Sequence, residues 1–294
     1  MQAPTLMQGP ALHQGGAPPP PEVASRIWLL AGTGEGPPLA SQLLARGWSV
    51  RVSVVSTAAT RAYAPHPGLE LGVGALGAGA ASGDLAPEAA VLAELHAAAQ
   101  RGRPFRWVID ASHPFAQRIS AALALACAQA GQPLLRLERP LPAAPEATIL
   151  PDLPSLAGID LVGRRLLLAI GARRLAEAMA HAPRAVHHAR LLPLPGALRQ
   201  AMAAGLPAGR VACLRPPAAT ATAAIEAALC RRWRIEAVLC RRSGGPSETH
   251  WRQISAALGL RLLLLERPRE PRGVELLPLA ALLERVGEAP GPLA

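Results

Sequence analysis

Trp107-Val-Ile-Asp-Ala-Ser-His-Pro-Phe-Ala116 is the stretch that decides the fold. Its first three residues are an apolar run typical of a buried strand, and a long alanine-rich helical pattern follows at residues 117–130. The polar corner between them lies where an open parallel sheet presents its chemistry, at the carboxyl end of a strand. Pro114 cannot continue a strand ladder and keeps His113 out of helical geometry, so the corner is stiff. We therefore predict that this corner is the centre of the functional site.

The same order of elements occurs near the start of the chain. Residues 27–31 form an apolar strand, Gly32-Thr-Gly-Glu-Gly36 is the turn after it, and residues 39–46 continue as a helix. A second strand at residues 48–55 completes a βαβ unit, and such units pack as right-handed parallel pairs. The alternation resumes beyond a proline-rich crossing at residues 141–154. The prediction is an α/β fold class with two Rossmann-like parallel-sheet domains and a cleft between them.

Composition sets the expected domain boundaries. Residues 1–25 are rich in Pro, Gly and Gln, lack the basic and apolar regions of a secretory signal, and predict a disordered extension. We expect a nucleotide-binding α/β domain at residues 26–140, a second α/β domain at 141–287 and a tail at 288–294. The second-half pattern predicts strands at 165–170, 210–214, 235–239 and 261–265, and helices at 173–180, 220–231, 247–258 and 278–286.

The positive charge of the chain comes from arginine alone. The formal net charge is +10, from 30 basic and 20 acidic residues, and the sequence contains no lysine and no asparagine. The absence of lysine excludes a Schiff-base lysine and a P-loop lysine. Because only 3% of the residues are aromatic, a base-stacking nucleic-acid surface is poorly supported. The charge suits a polyanionic small ligand at least as well.

Cysteine spacing and hydropathy indicate the compartment. The four cysteines have no C-x-x-C spacing and no histidine cluster at ligand intervals, so we expect no metal site. Scattered cysteines in a chain of this size favour a reducing compartment, and we expect a cytoplasmic location. No apolar run approaches the roughly 18 residues of a membrane span, so no membrane association is expected.

The candidate phosphate loop lies between the first strand and the first helix. It consists of Gly32, Thr33, Gly34, Glu35 and Gly36. Exposed N–H groups and the helix dipole favour a phosphate at such a position, although the same glycines would also serve a plain tight turn.

Ser56 and Thr57 end the second strand, where NAD-type sites place an acidic residue on the ribose. Hydroxyls and the nearby Arg61 stand there in place of a carboxylate, an arrangement that can accept a 2′-phosphate. The local chemistry favours NADP over NAD, unless the hydroxyls only terminate the strand and Arg61 is solvated.

Two groups in the central corner have alternative roles. His113 is either a proton donor, an anion ligand, or a structural residue that donates to a backbone carbonyl. Asp110 either orients His113 or caps the helix that follows.

A second loop repeats the strand-then-loop order in Cys240-Arg-Arg-Ser-Gly-Gly-Pro246. It is either an anion cradle or a solvated, flexible turn. Other arginines near strand ends are candidates for acidic groups on a substrate, namely Arg136, Arg139 and Arg215.

A set of motifs occurs in one recognisable order. They are Ala31-Gly-Thr-Gly-Glu-Gly36, Val54-Val-Ser-Thr57, Gly72-Val-Gly-Ala-Leu-Gly77, Asp110-Ala-Ser-His-Pro-Phe-Ala116, Leu135-Arg-Leu-Glu-Arg-Pro140 and Ser243-Gly-Gly245. Together they resemble the precorrin-6A reductase family of cobalamin biosynthesis, over residues 26–268. The resemblance implies a two-domain α/β oxidoreductase that uses NADPH, with NADH as the alternative. It further implies reduction of the C18–C19 double bond of precorrin-6A, or of cobalt-precorrin-6A, to give precorrin-6B.

The resemblance also implies roles for the candidate residues. The cofactor would be held by residues 32–36 with Ser56 and Thr57, and a tetrapyrrole bearing many carboxylates would fill the cleft. Substrate contacts are expected from Ser112, His113, Arg139, Arg242, Ser243, Gly244 and Gly245. His113 is the candidate catalytic residue, with water and the tautomerism of the macrocycle as alternative sources of the proton. We expect transient contact with other corrin-pathway enzymes and no nucleic-acid partner.

Departures from the family pattern concern the substrate side. Arg241 and Arg242 stand where the family commonly has Thr-Lys before an Asn or Asp, and Arg215-Pro-Pro-Ala218 lacks an expected aromatic residue. Arginine keeps the positive charge but presents a planar fork instead of a point charge.

The alternative functions are another NADP-dependent reductase of a small anionic substrate, or a non-catalytic dinucleotide- or nucleic-acid-binding protein.

Overall fold

The computed structural model describes residues 25–32, 34–74, 76, 86–216 and 222–290. Most of the predicted amino-terminal extension, Thr33, part of the glycine segment at 72–79 and the last four residues lie outside these ranges. Two six-stranded sheets are present among the described residues, and their strands pair in parallel. The predicted α/β class with two parallel-sheet domains is confirmed.

The strands have the following bounds: β1 (Arg26–Ala31), β2 (Ser49–Val54), β3 (Leu69–Val73), β4 (Trp107–Ala111), β5 (Leu134–Leu137), β6 (Ala147–Leu150), β7 (Arg165–Ala169), β8 (Val186–Leu191), β9 (Val211–Cys213), β10 (Ala237–Arg241), β11 (Arg261–Leu265) and β12 (Glu275–Leu277). The helices are α1 (Gly36–Ala45), α2 (Thr57–Thr60), α3 (Pro87–Gln100), α4 (Gln117–Gln129), α5 (Leu175–His181), α6 (Pro195–Ala203), α7 (Ala224–Trp233), α8 (Pro246–Leu258) and α9 (Leu279–Val286). Prolines in the first turns of α1, α3, α6 and α8 fit positions that tolerate a missing N–H.

Each sheet has one point where the strand order reverses. The first sheet has the order β12-β5-β4-β1-β2-β3, so the reversal falls between β1 and β4. The second has the order β6-β11-β10-β7-β8-β9, and the reversal falls between β7 and β10. In open α/β sheets, ligands bind outside the carboxyl ends of the strands at such points. The loops after β1, β4, β7 and β10 are therefore the places to look for a site.

The central strands contain uninterrupted apolar runs because both faces of each sheet are covered. In β1, Ile27 and Leu29 belong to one core cluster, whereas Trp28 and Leu30 belong to the cluster on the opposite face. In β7, Leu166 and Leu167 divide in the same way between two further clusters. This burial explains the continuous hydrophobic runs, since a strand with one wet face would alternate.

The carboxyl-terminal end of the predicted second domain requires a correction. Strand β12 pairs with β5 of the first sheet, and Leu282, Leu283 and Val286 of α9 are buried in the core of that sheet. Residues 275–286 therefore belong with the first sheet and not, as predicted, with the second domain. The second domain is an insertion between β5 and β12. The proline-rich crossing at 141–154 also contains a strand, β6, at the edge of the second sheet.

Candidate active site

The loops after β1 and β4 lie against each other. A Cβ atom added to Gly32 would be 3.9 Å from the backbone N of His113 and 3.9 Å from Cα of Ser112. This contact follows from the sheet order, because β1 and β4 pair directly and their carboxyl ends share one edge. The structure thus brings together two sets of predicted site residues.

Gly34 and Gly36 of the candidate phosphate loop differ in what surrounds them. An added Cβ on Gly34 would meet nothing within 4 Å, so its backbone is open to a ligand. An added Cβ on Gly36 would lie 2.4 Å from Oη of Tyr63 and 2.6 Å from Cβ of Ala31, which makes this glycine necessary for packing α1 onto β1. Thr33 lies outside the described residues. The open backbone at Gly34 fits a nucleotide phosphate, and the packing at Gly36 fits the third glycine of a dinucleotide loop.

The start of α1 offers few N–H donors. Pro37 and Pro38 have no N–H, and the N–H of Leu39 donates to the carbonyl of Glu35 at 3.1 Å. An anion at this helix start therefore depends on N–H groups that precede Pro37.

The end of β2 lies beside the phosphate loop, because β2 pairs with β1. Ser56 precedes α2 without a side-chain capping bond, and Thr57 is exposed. Val55 is 71% exposed there and Val73, at the end of β3, is 52% exposed. Exposed apolar side chains next to free hydroxyls suit the adenosine part of a dinucleotide.

An ion pair joins the phosphate loop to the segment that crosses between the domains. Nε of Arg139 lies 3.0 Å from Oε1 of Glu35, and Nη2 donates to Oε2 at 3.1 Å. A Cβ added to Gly245 would be 3.7 Å from Arg139 Nη1 and 3.7 Å from Glu35 Oε1. One predicted cofactor residue and one predicted substrate residue therefore contact each other, and the Ser243-Gly-Gly245 loop lies over both. We call the space bordered by residues 32, 34–36, 112–116 and 242–245 the crevice.

The Ser-Gly-Gly loop is held by backbone contacts. Gly244 has a φ of +68°, and an added Cβ would lie 2.2 Å from the carbonyl oxygen of Pro140. Its N–H donates to Oε2 of Glu248 at 2.7 Å. Arg267 donates to the carbonyl of Arg139 at 3.0 Å and to that of Ser243 at 3.1 Å. The loop is consequently fixed against the interdomain crossing, which does not match a flexible turn.

Asp110 has neither of its predicted roles. Its Oδ1 accepts from the N–H of Ser112 at 2.9 Å, and its Oδ2 pairs with Arg136. Arg136 also donates to Oγ of Ser120 at 2.8 Å and pairs with Glu270. No side-chain capping bond is present at the start of α4. Asp110 and Arg136 form a buried structural pair that orients Ser112, so Arg136 is not directed at a substrate.

His113 is held as a neutral imidazole. The N–H of Phe115 donates to its Nδ1 at 3.1 Å, which assigns the ring proton to Nε2. Burial, followed by the positive charges of Arg241 and Arg139, lowers the pKa of His113 to about 3. At neutral pH the side chain can donate a hydrogen bond from Nε2 but carries no extra proton to give away.

The arginines of the second domain differ from the sequence-based expectation. Arg242 pairs with Glu266 at 2.6 Å, so its charge is already compensated. The preceding residue, Arg241, lies over the ring of Phe115 at 5.2 Å; it belongs to the predicted anion cradle but was not among the expected substrate contacts. The available signal was its position as the last residue of β10, next to the strand-order reversal. Arg215 is exposed and follows β9, the outer strand of the sheet, away from the crevice.

Two absences hold for the described part of the chain. No group of three or more His, Cys, Asp or Glu residues there could hold a metal ion. Among the same residues, no helix is both long and apolar enough to cross a bilayer.

The fold and the site together define a two-domain α/β enzyme of the dinucleotide-binding kind, with a glycine loop at one strand-order reversal and arginine-rich loops at the other. Comparison with known proteins gives the family. The profile of the family described as "Precorrin-6x reductase CbiJ/CobK" matches residues 26–286. The chain belongs to this family and is a reductase of the nicotinamide-dinucleotide type.

Relatives and a solved structure agree with this assignment. The chain is 34% identical over 249 residues to the cobalt-precorrin-6A reductase of Synechocystis sp., covering 83% of this chain and 88% of the relative. It is 30% identical over 265 residues to the precorrin-6A reductase of Rhodococcus erythropolis, covering 85% and 92%. The solved structure titled "CobK precorrin-6A reductase" superposes with a TM-score of 0.66 at 26% identity, covering 90% of this chain and 99% of that chain.

Proposed function

We propose that the chain catalyses the NADPH-dependent reduction of the C18–C19 double bond of precorrin-6A, or of cobalt-precorrin-6A, to give precorrin-6B. The observation that carries the proposal is the 3.0 Å ion pair of Glu35 with Arg139, against which Gly245 packs so closely that an added Cβ would lie 3.7 Å from Glu35 Oε1. This contact supports a phosphate loop and an anion loop that border the same crevice. Membership of the precorrin-6x reductase family supplies the reaction class.

The cofactor would be held on the first-domain side. The backbone of Gly32 and Gly34 is available to the pyrophosphate, and Ser56 and Thr57 lie at the strand end that receives the adenosine ribose. No carboxylate occupies that strand end, and Arg61 is exposed nearby, which favours the 2′-phosphate of NADPH over NADH. Bound there, the nicotinamide supplies the hydride.

His113 would act as a hydrogen-bond donor and not as an acid. Because its pKa is lowered to about 3, an imidazolium is not available near neutrality. Its Nε2–H can hold a polar group of the macrocycle, while the proton for the product carbon comes from water or from tautomerism of the ring. Nearby arginines offset the substrate carboxylates and so favour its binding.

The proposal also covers where the enzyme works and which proteins it contacts. We place the reaction in the cytoplasm, since Cys127, Cys213, Cys230 and Cys240 are all free thiols. We further propose that the product is passed on by transient contact with other corrin-pathway enzymes, and cross-linking in cell extract would reveal such contacts. Recovery of the active enzyme from a membrane or extracellular fraction would contradict the location.

The direct test is anaerobic incubation with precorrin-6A and either NADPH or NADH. A product heavier by two hydrogens, formed faster with NADPH, is expected by mass and absorbance.

Replacing Gly34 by Val should weaken NADPH binding at least tenfold, because a side chain blocks the approach of the backbone to phosphate. Gly158→Val is the matched control, since an added Cβ there also meets nothing within 4 Å. An unreduced substrate, or equal NADPH affinity in both variants, would refute the proposal.

A further inference from the structure

A cluster of arginines lies where the second sheet reverses its strand order. Arg241 ends β10, while Arg173 and Arg174 lie in a 3₁₀ turn, Ala172–Arg174, just after β7. Burial and the charges of Arg174 and Arg173 lower the pKa of Arg241 to about 10. These like charges are therefore close enough to repel one another.

Arg241 is partly buried and has no compensating charge. Its Nε is inaccessible to solvent and has no hydrogen-bond partner. The guanidinium lies over Phe115, and a Cβ on Gly171 would come within 3.0 Å of its Nη2, so glycine there makes room for it. Within the described ranges no carboxylate forms an ion pair with Arg241, whereas the next residue, Arg242, is paired with Glu266.

The two neighbouring arginines differ in their ion pairing. Arg174 pairs with Glu177, but the exposed Arg173 has no ion-pair partner among the residues described. Burying a cation without a partner is unfavourable, so a partly buried arginine such as Arg241 persists where a ligand supplies the opposite charge. Arg241 and Arg173 are thus two uncompensated cations at one strand-order reversal.

The surface beside them is apolar. Leu192 and Leu194 follow β8, the neighbour of β7, and are 45% and 52% exposed. Because all strands of the sheet are parallel, these leucines lie at the same edge as Arg173. Cations next to exposed leucines suit a flat apolar ring with carboxylates on its rim better than a nucleotide phosphate.

We propose that Arg241 and Arg173 bind a carboxylate side chain of the macrocycle and thereby fix its orientation relative to His113. The inference rests on the proposed function, and it names the carboxylate-recognising residues of the same crevice. Arg241 links the two domains in this role, because Phe115 beneath it belongs to the loop after β4 and also packs against the core of the second domain. A planar guanidinium can hold a carboxylate through two parallel hydrogen bonds.

The first test needs no catalysis. Uroporphyrin, a porphyrin with eight carboxylates, is titrated into the protein and followed by absorbance. Arg241→Met and Arg173→Gln should each bind it about 10- to 100-fold more weakly, the loss expected for a hydrogen-bonded charge pair. Arg241→Lys should recover part of the affinity. Arg232→Gln is the control, since it removes the same charge from the exposed end of α7, at the opposite edge of the sheet.

Stability separates ligand binding from a structural role. Without ligand, Arg241→Met should melt at or above the wild-type temperature, because it removes an uncompensated, partly buried charge. A clear loss of thermal stability would mean that Arg241 is structural and would overturn the inference. Should Arg241→Met fail to fold, that too counts as a structural role for Arg241, and Arg173→Gln, which alters an exposed side chain, still tests the carboxylate site.

Turnover distinguishes this inference from the proposed function. If the wild-type enzyme reduces precorrin-6A, Arg241→Met should raise its KM about 10- to 100-fold and leave the KM for NADPH unchanged. Unchanged KM for precorrin-6A refutes the carboxylate site and leaves the reductase proposal intact. An equal rise in the KM for NADPH would assign the arginines to a cofactor phosphate and would also overturn the inference. A wild-type enzyme without turnover refutes the proposed function, while uroporphyrin binding still decides the carboxylate site.

Discussion

Gly244→Ala gives the sharpest test of how the crevice is built. The residue has a φ of +68°, and its new Cβ would lie 2.2 Å from the carbonyl oxygen of Pro140 and 2.9 Å from Nη2 of Arg267. The left-handed backbone costs alanine about 1–2 kcal/mol. Relieving the overlap with a backbone atom costs about 1–3 kcal/mol more, because a carbonyl cannot move away by changing rotamer. We expect a total loss of about 2–5 kcal/mol in the free energy of unfolding.

Gly259→Ala is the control that isolates the contact. Gly259 ends α8 with a φ of +64°, and nothing lies within 4 Å of its added Cβ, so only the backbone term of about 1–2 kcal/mol applies. Urea unfolding is followed by the fluorescence of Trp233 and Trp251, which both pack in the second domain. An equal loss in the free energy of unfolding for the two variants would contradict the close approach of Gly244 to Pro140.

Three further predictions concern charged groups. The folded pKa of His113, about 3, lies below its unfolded value of about 6.5, so the unfolded chain binds more protons in between and stability falls as pH drops through this window. His113→Gln should flatten that fall in urea midpoints, and an equally steep fall contradicts the lowered pKa. Asp110→Asn should cost about 3–5 kcal/mol, measured by urea unfolding, because Arg136 loses a buried counter-charge; a loss of under about 1 kcal/mol would contradict the buried pair. Glu35→Gln should tighten NADPH binding a few-fold by removing a negative charge beside the phosphate loop, and Arg139→Gln should weaken it by removing a positive one. A titration in which both variants change the NADPH affinity in the same direction would contradict this effect of charge.

The sequence predicted the elements whose burial is strong. Strand β11 has the predicted bounds, and β1 and β4 differ by a residue or two, because runs buried on both faces are apolar without interruption. Strand β12 has only three residues and exists because β5 offers a free edge, which no local pattern records. Strand β8 contains two buried histidines, and such residues conceal a strand in a hydropathy pattern.

The sequence predicted the part of the candidate site that lies at the edge of a single sheet. The loops after β1 and β4 meet because the two strands are neighbours at the strand-order reversal, where a doubly wound sheet places its ligand loops. Ion pairs between residues far apart in the chain were not predictable: Glu35 and Arg139 are 104 positions apart, and Arg242 is compensated by Glu266, which follows β11. The protonation of His113 depends on burial and on arginines from separate segments, so its residue type alone could not reveal it.

The return of β12 and α9 to the first sheet affects how the protein is made. The ribosome releases the glycine loop early, yet the sheet that carries it gains its last strand only after the inserted domain has been synthesised. A nascent chain stalled before residue 275 would expose the outer edge of β5, leave Trp48 without the carbonyl of Gly287 that it bonds at 2.9 Å, and have an incomplete core. Completion of the nucleotide half is thereby delayed until nearly the whole polypeptide has emerged, and the two halves mature together.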